Sequence, residues 1–201
     1  MIFETIIISI DTAGNPHVTP FGVRHEGEHI VISPFKPSTT LDNILATKTA
    51  VMNITDDVRV FAAALTNRQA WQLLQTNKVK GFRLADCLVH TELALIEVRN
   101  DATRPQLVMQ KIQSQQHQPF NGFNRAQAAV IELAVLVSRL HLLPAEKIQN
   151  EMQYLQIAIN KTAGERELQA WSWLVEKIVL FYGSQKLDGG QKNDTAEKMD
   201  Y

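Results

Sequence analysis

FETIIISIDTAGNPHVTPFGVRHEGEHIVIS, residues 3–33, is the stretch that decides the fold. Phe3 to Ile10 is a β-branched run of strand length. Asp11-Thr12-Ala13-Gly14-Asn15 is a cluster of turn formers. His17 to Val23 then returns as an antiparallel partner. His25-Glu26-Gly27-Glu28-His29 makes a second turn, and His29 to Ser33 is a third short strand. Three short strands joined by frequent turns in the first thirty residues point to a barrel or sandwich.

The rest of the N-terminal half extends this pattern. Pro34 and Pro37 bracket an irregular stretch, because proline cannot donate to a sheet ladder. Ser38 to Leu45 predicts a short capped helix. Ala50 to Ile54 is a further strand. Val58 to Ala64 either continues the sheet or opens a helix. Asn67 to Thr76 carries a weak helical pattern in Ala70, Trp71, Leu73 and Leu74. Cys87 to Val98 closes the β-rich part. Six of the thirteen residues from Gln106 to Gln118 are glutamine, which reads as a partly helical connector ended by Pro119.

A different periodicity begins at Asn124. Ala129, Val130, Leu133, Leu136, Val137 and Leu140 fall at helical spacing from Arg125 to Leu143, and Pro144 stops the run. Ile148, Met152, Leu155 and Ile159 mark a second helix. Leu168, Trp171, Leu174, Val175, Ile178 and Phe181 mark a third, from Arg166 to Tyr182. Trp171 fits the buried stripe and Trp173 falls off it. The expected fold is α+β: an N-terminal antiparallel split β-barrel (1–105), a connector (106–123), a C-terminal α-helical subdomain (124–182) and a flexible polar tail (183–201). No internal repeat is visible.

Composition narrows the function classes. A chain of 201 residues is one large domain or two small ones and buries its core without staples. Twenty basic residues against twenty-one acidic ones give a net charge of −1. That argues against a nucleic-acid surface, which needs clustered Lys and Arg. The single cysteine, Cys87, excludes an internal disulfide and a cysteine-based zinc site. There is no signal-peptide pattern. The most apolar later stretch, Ala128 to Val137, contains Glu132 and is far shorter than the roughly 20 residues of a membrane span. The expectation is a soluble, cytoplasmic protein with no membrane and no nucleic-acid partner.

One motif is a decoy. His25-Glu26-Gly27-Glu28-His29 fits H-E-x-x-H, which binds zinc when a helix puts both histidines on one face. Here the flanks are strand formers and Gly27 sits at the centre, so the reading is a hairpin tip with no metal. Phosphate loops of Walker type, G-x-G-x-x-G and G-x-S-x-G are absent. Cys87 reads as a buried, inert thiol. Asn53-Ile54-Thr55 fits a glycosylation pattern that a cytoplasmic chain does not use.

Three polar clusters sit at strand ends. They are Thr19-Pro20-Phe21-Gly22-Val23-Arg24, then Ser38-Thr39-Thr40 with Asn43, then Asn53-Ile54-Thr55-Asp56-Asp57. Hydroxyls and N–H groups at a helix start form a phosphate cradle, for which Arg24 is a matching charge. Gly22 allows close approach of a flat ring. On spacing alone, Ser38 to Thr40 reads first as a plain N-cap. Asn53, Asp56 and Asp57 read equally as exposed turn residues, and Arg24 as a surface ion-pair partner.

GNPHVTPFGVRHEGEHIVISPFKPSTTLDNILATKTAVMNITDD, residues 14–57, resembles the flavin-reductase-like, FMN-binding split-barrel superfamily. The likeness is greatest to an uncharacterised family within it that has a C-terminal helical extension. The shared order is G-N-P, T-P-F-G-V, S-T-T-x-x-N and V-x-N-I-T-D-D. FNRAQAAVIELAVLVSRLHLL (123–143) and KTAGERE (161–167) resemble the extension, so the likeness covers most of residues 3–182. It implies a homodimer holding FMN at the subunit interface. Ser38, Thr39, Thr40 and Asn43 would surround the phosphate. Pro20, Phe21, Gly22 and Val23 would present backbone to the isoalloxazine, Thr19 before them would belong to the cofactor-binding set, and Arg24 would meet the phosphate or the ring edge. Asn53, Thr55 and Asp56 would line the groove. The resemblance supplies a cofactor and not a reaction, and no catalytic base is assigned. A flavin-dependent oxidoreductase is the expected class, against a non-catalytic flavin-binding or electron-carrier homodimer, or a dimer whose site has decayed. The helices are expected to pack on the barrel and shield the cleft.

Overall fold

A computed structural model describes residues 1–191. Six strands close an antiparallel barrel in the order β1 (Ile2–Ile10), β2 (Pro16–Glu26), β3 (His29–Ile32), β8 (Gln106–Gln116), β7 (Val89–Arg99) and β4 (Thr49–Ile54). A separate two-stranded hairpin, β5 (Leu73–Gln75) and β6 (Phe82–Leu84), lies beside it. The helices are α1 (Thr39–Thr47), α2 (Arg59–Leu65), α3 (Arg125–Val137), α4 (Ala145–Thr162) and α5 (Glu165–Gln191). Among the described residues, no helix is long and apolar enough to cross a membrane.

Strand β1 explains why the first apolar run is continuous and not alternating. Every residue from Thr5 to Ile10 is buried. Ile7 points into the barrel, where it meets Val23, Ile30, Ile32, Leu93, Leu107 and Met109. Ile6 and Ile8 point outward into a second core under the helices, with Phe61, Val130, Leu133, Trp171 and Leu174. A strand covered on both faces needs apolar residues at both parities. Helix α1 adds Leu41 and Ile44 to the barrel interior.

The decoy motif is a turn. Glu26 pairs with His29 across the β2–β3 hairpin, and Gly27 sits at φ 58°, a region that costs glycine little. Cys87 lies just before β7, fully buried, and burial pushes its thiol pKa up. Trp171 is buried in the outer core, and Trp173 packs at its edge under the Arg68 guanidinium.

Four expectations are corrected. The glutamine-rich stretch is no helical connector: residues 106–116 are β8, a full barrel strand between β3 and β7. Its Leu107, Val108 and Met109 are buried, whereas glutamines take outward positions toward its end. Residues 67–76 form no helix but lead into β5, with Asn67 at φ 54°. Helix α3 stops at Val137 instead of reaching Leu143, because tight turns follow, with Arg139 N–H donating to the Leu136 carbonyl and Leu142 N–H to that of Arg139. The expected tail from residue 183 is helical as far as Gln191; residues 192–201 lie outside the described residues.

Candidate functional site

A cleft of about 480 Å³ opens between the outer face of β1–β2 and helix α3, within the size range of small-molecule and cofactor sites. Its floor is Ile2, Glu4 and Thr19 to Gly22. One side is α2, through Phe61 and Leu65; another is α3, through Ile131, Ala134 and Val135, with Ser138 and Arg139 beyond its end. Ser33, Phe35, Pro37, Ser38 and Arg104 complete the wall. Helix α3 of the helical subdomain thus covers one side of this cleft.

The local sequence builds each wall. Gly22 lies opposite Glu4 in the β1–β2 register. A Cβ there would stand 2.8 Å from Ile2 Cγ2 and 3.3 Å from Glu4 Oε1. Glycine therefore leaves bare backbone on the cleft floor while β1 and β2 keep their spacing. Phe21 turns its ring toward the barrel core, and its carbonyl accepts from Thr5 Oγ1 at 3.1 Å.

The start of α1 is the polar end of the cleft. Ser38 is the N-cap, its Oγ accepting from Leu41 N–H at 3.2 Å. The N–H groups of the first helical turn have no partner within the helix and carry its positive dipole end. Thr39 is exposed beside them. Thr40 is buried, and its Oγ1 has no hydrogen-bond partner among the described residues. Such a hydroxyl costs free energy unless something completes it.

Two arginines oppose one carboxylate along the lining: Arg104 and Arg139 against Glu4. Arg104 is held in place. Its Nε donates to the Ser33 carbonyl at 3.0 Å, and its guanidinium lies 4.6 Å from the centre of the Phe35 ring. Its backbone N–H donates to Asp101 Oδ1 at 2.6 Å. Lys36 N–H donates to the Thr103 carbonyl at 2.9 Å, joining that loop to the segment before α1.

The structure brings Thr19, Pro20, Phe21, Gly22 and Ser38 together in this cleft. The other expected residues are outside its lining, including Thr39, which is exposed on α1, and Thr40, which is buried there. Val23 faces the barrel interior. Arg24 lies two residues beyond Gly22, outside the lining, 3.8 Å from Glu26. Asn43 is buried and donates to Ser9 Oγ at 3.1 Å. Asn53 is fully buried; its Oδ1 accepts from Leu84 N–H at 2.9 Å. Thr55 lines a separate, water-sized cavity of about 20 Å³, its Oγ1 accepting from Asp57 N–H. Asp56 lines neither cavity. Asp57 is buried and paired to Arg59, with contacts of 2.6 and 2.9 Å, and is not an exposed turn carboxylate. For Asn43, Asn53 and Asp57 the fold has already used the polar atom.

Arg104, Arg139 and Phe35 line the cleft without any signal in the sequence that marks them. Arg104 was hidden by reading the next residues as a connector. Only as the approach to a barrel strand does its loop have a fixed place beside β3.

No curated protein matches the sequence. Among solved structures, the FMN-bound protein MM1853 from Methanosarcina mazei is similar over 88% of this chain and 94% of its own, at 21% identity and a TM-score of 0.76. The nitrilotriacetate monooxygenase component B homologue from Mycobacterium thermoresistibile is similar over 59% and 70%, at 13% identity and a TM-score of 0.51. Flavoredoxin from Methanosarcina acetivorans is similar over 57% and 68%, at 12% identity and a TM-score of 0.50. These likenesses show a common barrel, and the first extends through the helices. The family model described as protein of unknown function (DUF447) N-terminal domain matches residues 3–118, and its companion DUF447 model matches residues 124–176, so the chain belongs to the DUF447 family.

Proposed function

We propose that the cleft binds FMN and that the protein is a flavin-dependent oxidoreductase. The observation that carries this reading is the pairing of bare strand backbone at Gly22 with a capped helix start at Ser38 in one cleft. A flat ring needs the first and a phosphate the second. MM1853, similar over nearly its whole length, is FMN-bound.

In this reading Ser38, Thr39 and the first-turn N–H groups, that of Thr40 among them, hold the phosphate. Arg104, fixed by Ser33 and Phe35, adds a positive charge at that end. The backbone from Thr19 to Gly22 orients the ring, and Phe61, Leu65 and α3 exclude water from its other side. When bound, FMN supplies hydride or electron transfer, which no side chain of the cleft provides. A second copy of the chain completes the cleft in this proposal. The exposed ring of Phe35 and the Ile2 side chain, both in the cleft lining, are the surface it would cover.

Purified protein tests the reading. A yellow preparation, or apoprotein that takes up added FMN as a dimer, is the expected result. A Ser38→Ala/Thr39→Ala double variant is expected to weaken FMN at least tenfold, roughly the loss of one or two charge-assisted hydrogen bonds. Full retention of affinity removes the phosphate assignment. Bleaching on mixing with NADH or NADPH supports the oxidoreductase. Reduction by a protein donor alone supports an electron carrier.

A further inference from the structure

Thr19 and His17 are two residues apart on β2 and line different cavities. Thr19 lines the cleft, and His17 lines a second cavity of about 320 Å³ between β2 and the segment after α2. Their side chains meet, with Thr19 Oγ1 2.6 Å from His17 Nε2. A hydroxyl has one proton and two lone pairs, so what it gives one neighbour it withholds from another. When Nε2 is bare, Thr19 donates to it and offers the cleft only lone pairs. When Nε2 carries a proton, as it must in the imidazolium, it donates to Oγ1. The threonine proton is then free to point into the cleft.

We propose that His17 is a positioning residue whose protonation sets whether Thr19 offers the flavin ring a hydrogen-bond donor or only an acceptor. This rests on the flavin reading above. The edge of an isoalloxazine carries more acceptors, its carbonyl oxygens and bare ring nitrogens, than donors. The donor state of Thr19 is therefore the one that holds it. Burial lowers the His17 pKa from its ordinary value of 6.5, so the free protein rests with a neutral ring near neutral pH, which in this proposal is the Nδ1–H tautomer whose bare Nε2 accepts from Thr19. Few charges compete for control of that ring. Arg68 shares its cavity and is engaged with Glu176 of α5 at 2.8 Å; Ser9, opposite on β1, is uncharged. On the cleft side the charged groups are Glu4, Arg104 and Arg139.

Two measurements on the full chain test the proposal. FMN affinity is titrated between about pH 5 and pH 8 for wild type, His17→Gln, Thr19→Val and Thr19→Ser. The His17 ring is followed by NMR with and without saturating FMN. In wild type the Kd is expected to tighten about threefold to tenfold as pH falls through the His17 pKa, the range one hydrogen bond supplies. The His17 pKa should rise by the matching amount on binding, roughly half to one pH unit, because linkage is reciprocal. Thr19→Ser keeps the dependence, whereas Thr19→Val and His17→Gln bind FMN without it. The phosphate also titrates in this range, but its contribution is common to all four proteins and cancels in the comparison. A His17 pKa that is unmoved or lowered by FMN overturns the proposal and leaves the flavin reading intact. So does a pH dependence that survives in Thr19→Val. Failure of wild type to bind FMN at any pH overturns both. Should a variant not fold, the NMR titration of wild type decides alone.

Discussion

Two polar regions on the outside of the barrel use similar residues for opposite ends. On the β4–β7 side, Glu92 is fully buried and accepts from the N–H groups of Asn77, Lys78 and Val79 at 3.1, 2.7 and 2.6 Å. Asn53, on the neighbouring strand, accepts from Leu84 N–H and donates to the carbonyls of Ile6 and Val51. Both clamp the β5–β6 hairpin to the barrel. On the β1–β2 side, Gly22 offers open backbone and Ser38 starts a helix, both at the cleft. A polar group already satisfied by backbone is fold; bare backbone and a helix start that face a cavity are left free to meet a ligand. Residue type at a strand end does not separate the two.

The sharpest break of that comparison is Glu92→Ala. Removing a buried carboxylate strands three backbone donors, and the loss is expected to be about 3 kcal/mol or more in urea unfolding. Affinity for FMN in the folded fraction should stay unchanged. The same carboxylate has a pH signature. Burial raises its pKa, but the three N–H groups and His90 outweigh that and hold it below its ordinary 4.5. Its contribution is therefore complete above about pH 4.5 and is lost as pH falls through the folded value. A shallower acid slope in Glu92→Gln would show this.

Asn53→Ala is expected to cost about 2 kcal/mol, since Leu84 N–H loses its acceptor in a dry place. A large loss of FMN affinity at unchanged stability would instead return Asn53 to the site. Gly22→Ala tests the opposite region. The added methyl meets the stiff branch methyl of Ile2 and the flexible end of Glu4, so stability should fall by about 1 kcal/mol or more, whereas FMN affinity falls at least tenfold.

The smallest effect concerns a histidine pair beside the clamp, His90 buried and His117 half-buried. His90 Nδ1 and His117 Nε2 are 2.8 Å apart with stacked rings. Burial is the main cause that lowers both pKa values from 6.5, and Arg83 adds to it; Glu92 partly offsets it for His90. The folded state thus binds these protons less readily than the unfolded chain. Stability is full above about pH 6.5 and declines as pH falls below it. His117→Gln should flatten that decline, read as Tm against pH.

Much of this protein was legible from the chain alone. Phe3 to Ile10, the hairpin at Gly27 and the capped helix at Ser38 follow from local rules, because turn chemistry, capping and β-branching act over a few residues. The α+β order follows from the change of periodicity at Asn124. Order and spacing of short motifs also pointed to the right family. Tertiary structure decided the rest. It made Gln106–Gln116 a strand, since polar glutamines face outward only once Leu107, Val108 and Met109 have a barrel to fill. It sent Asn43, Asn53 and Asp57 to the fold, and set Arg104 and helix α3 at the cleft. No local pattern could sort these, because a polar side chain becomes a clamp or a site only when distant backbone arrives, or fails to arrive, to satisfy it.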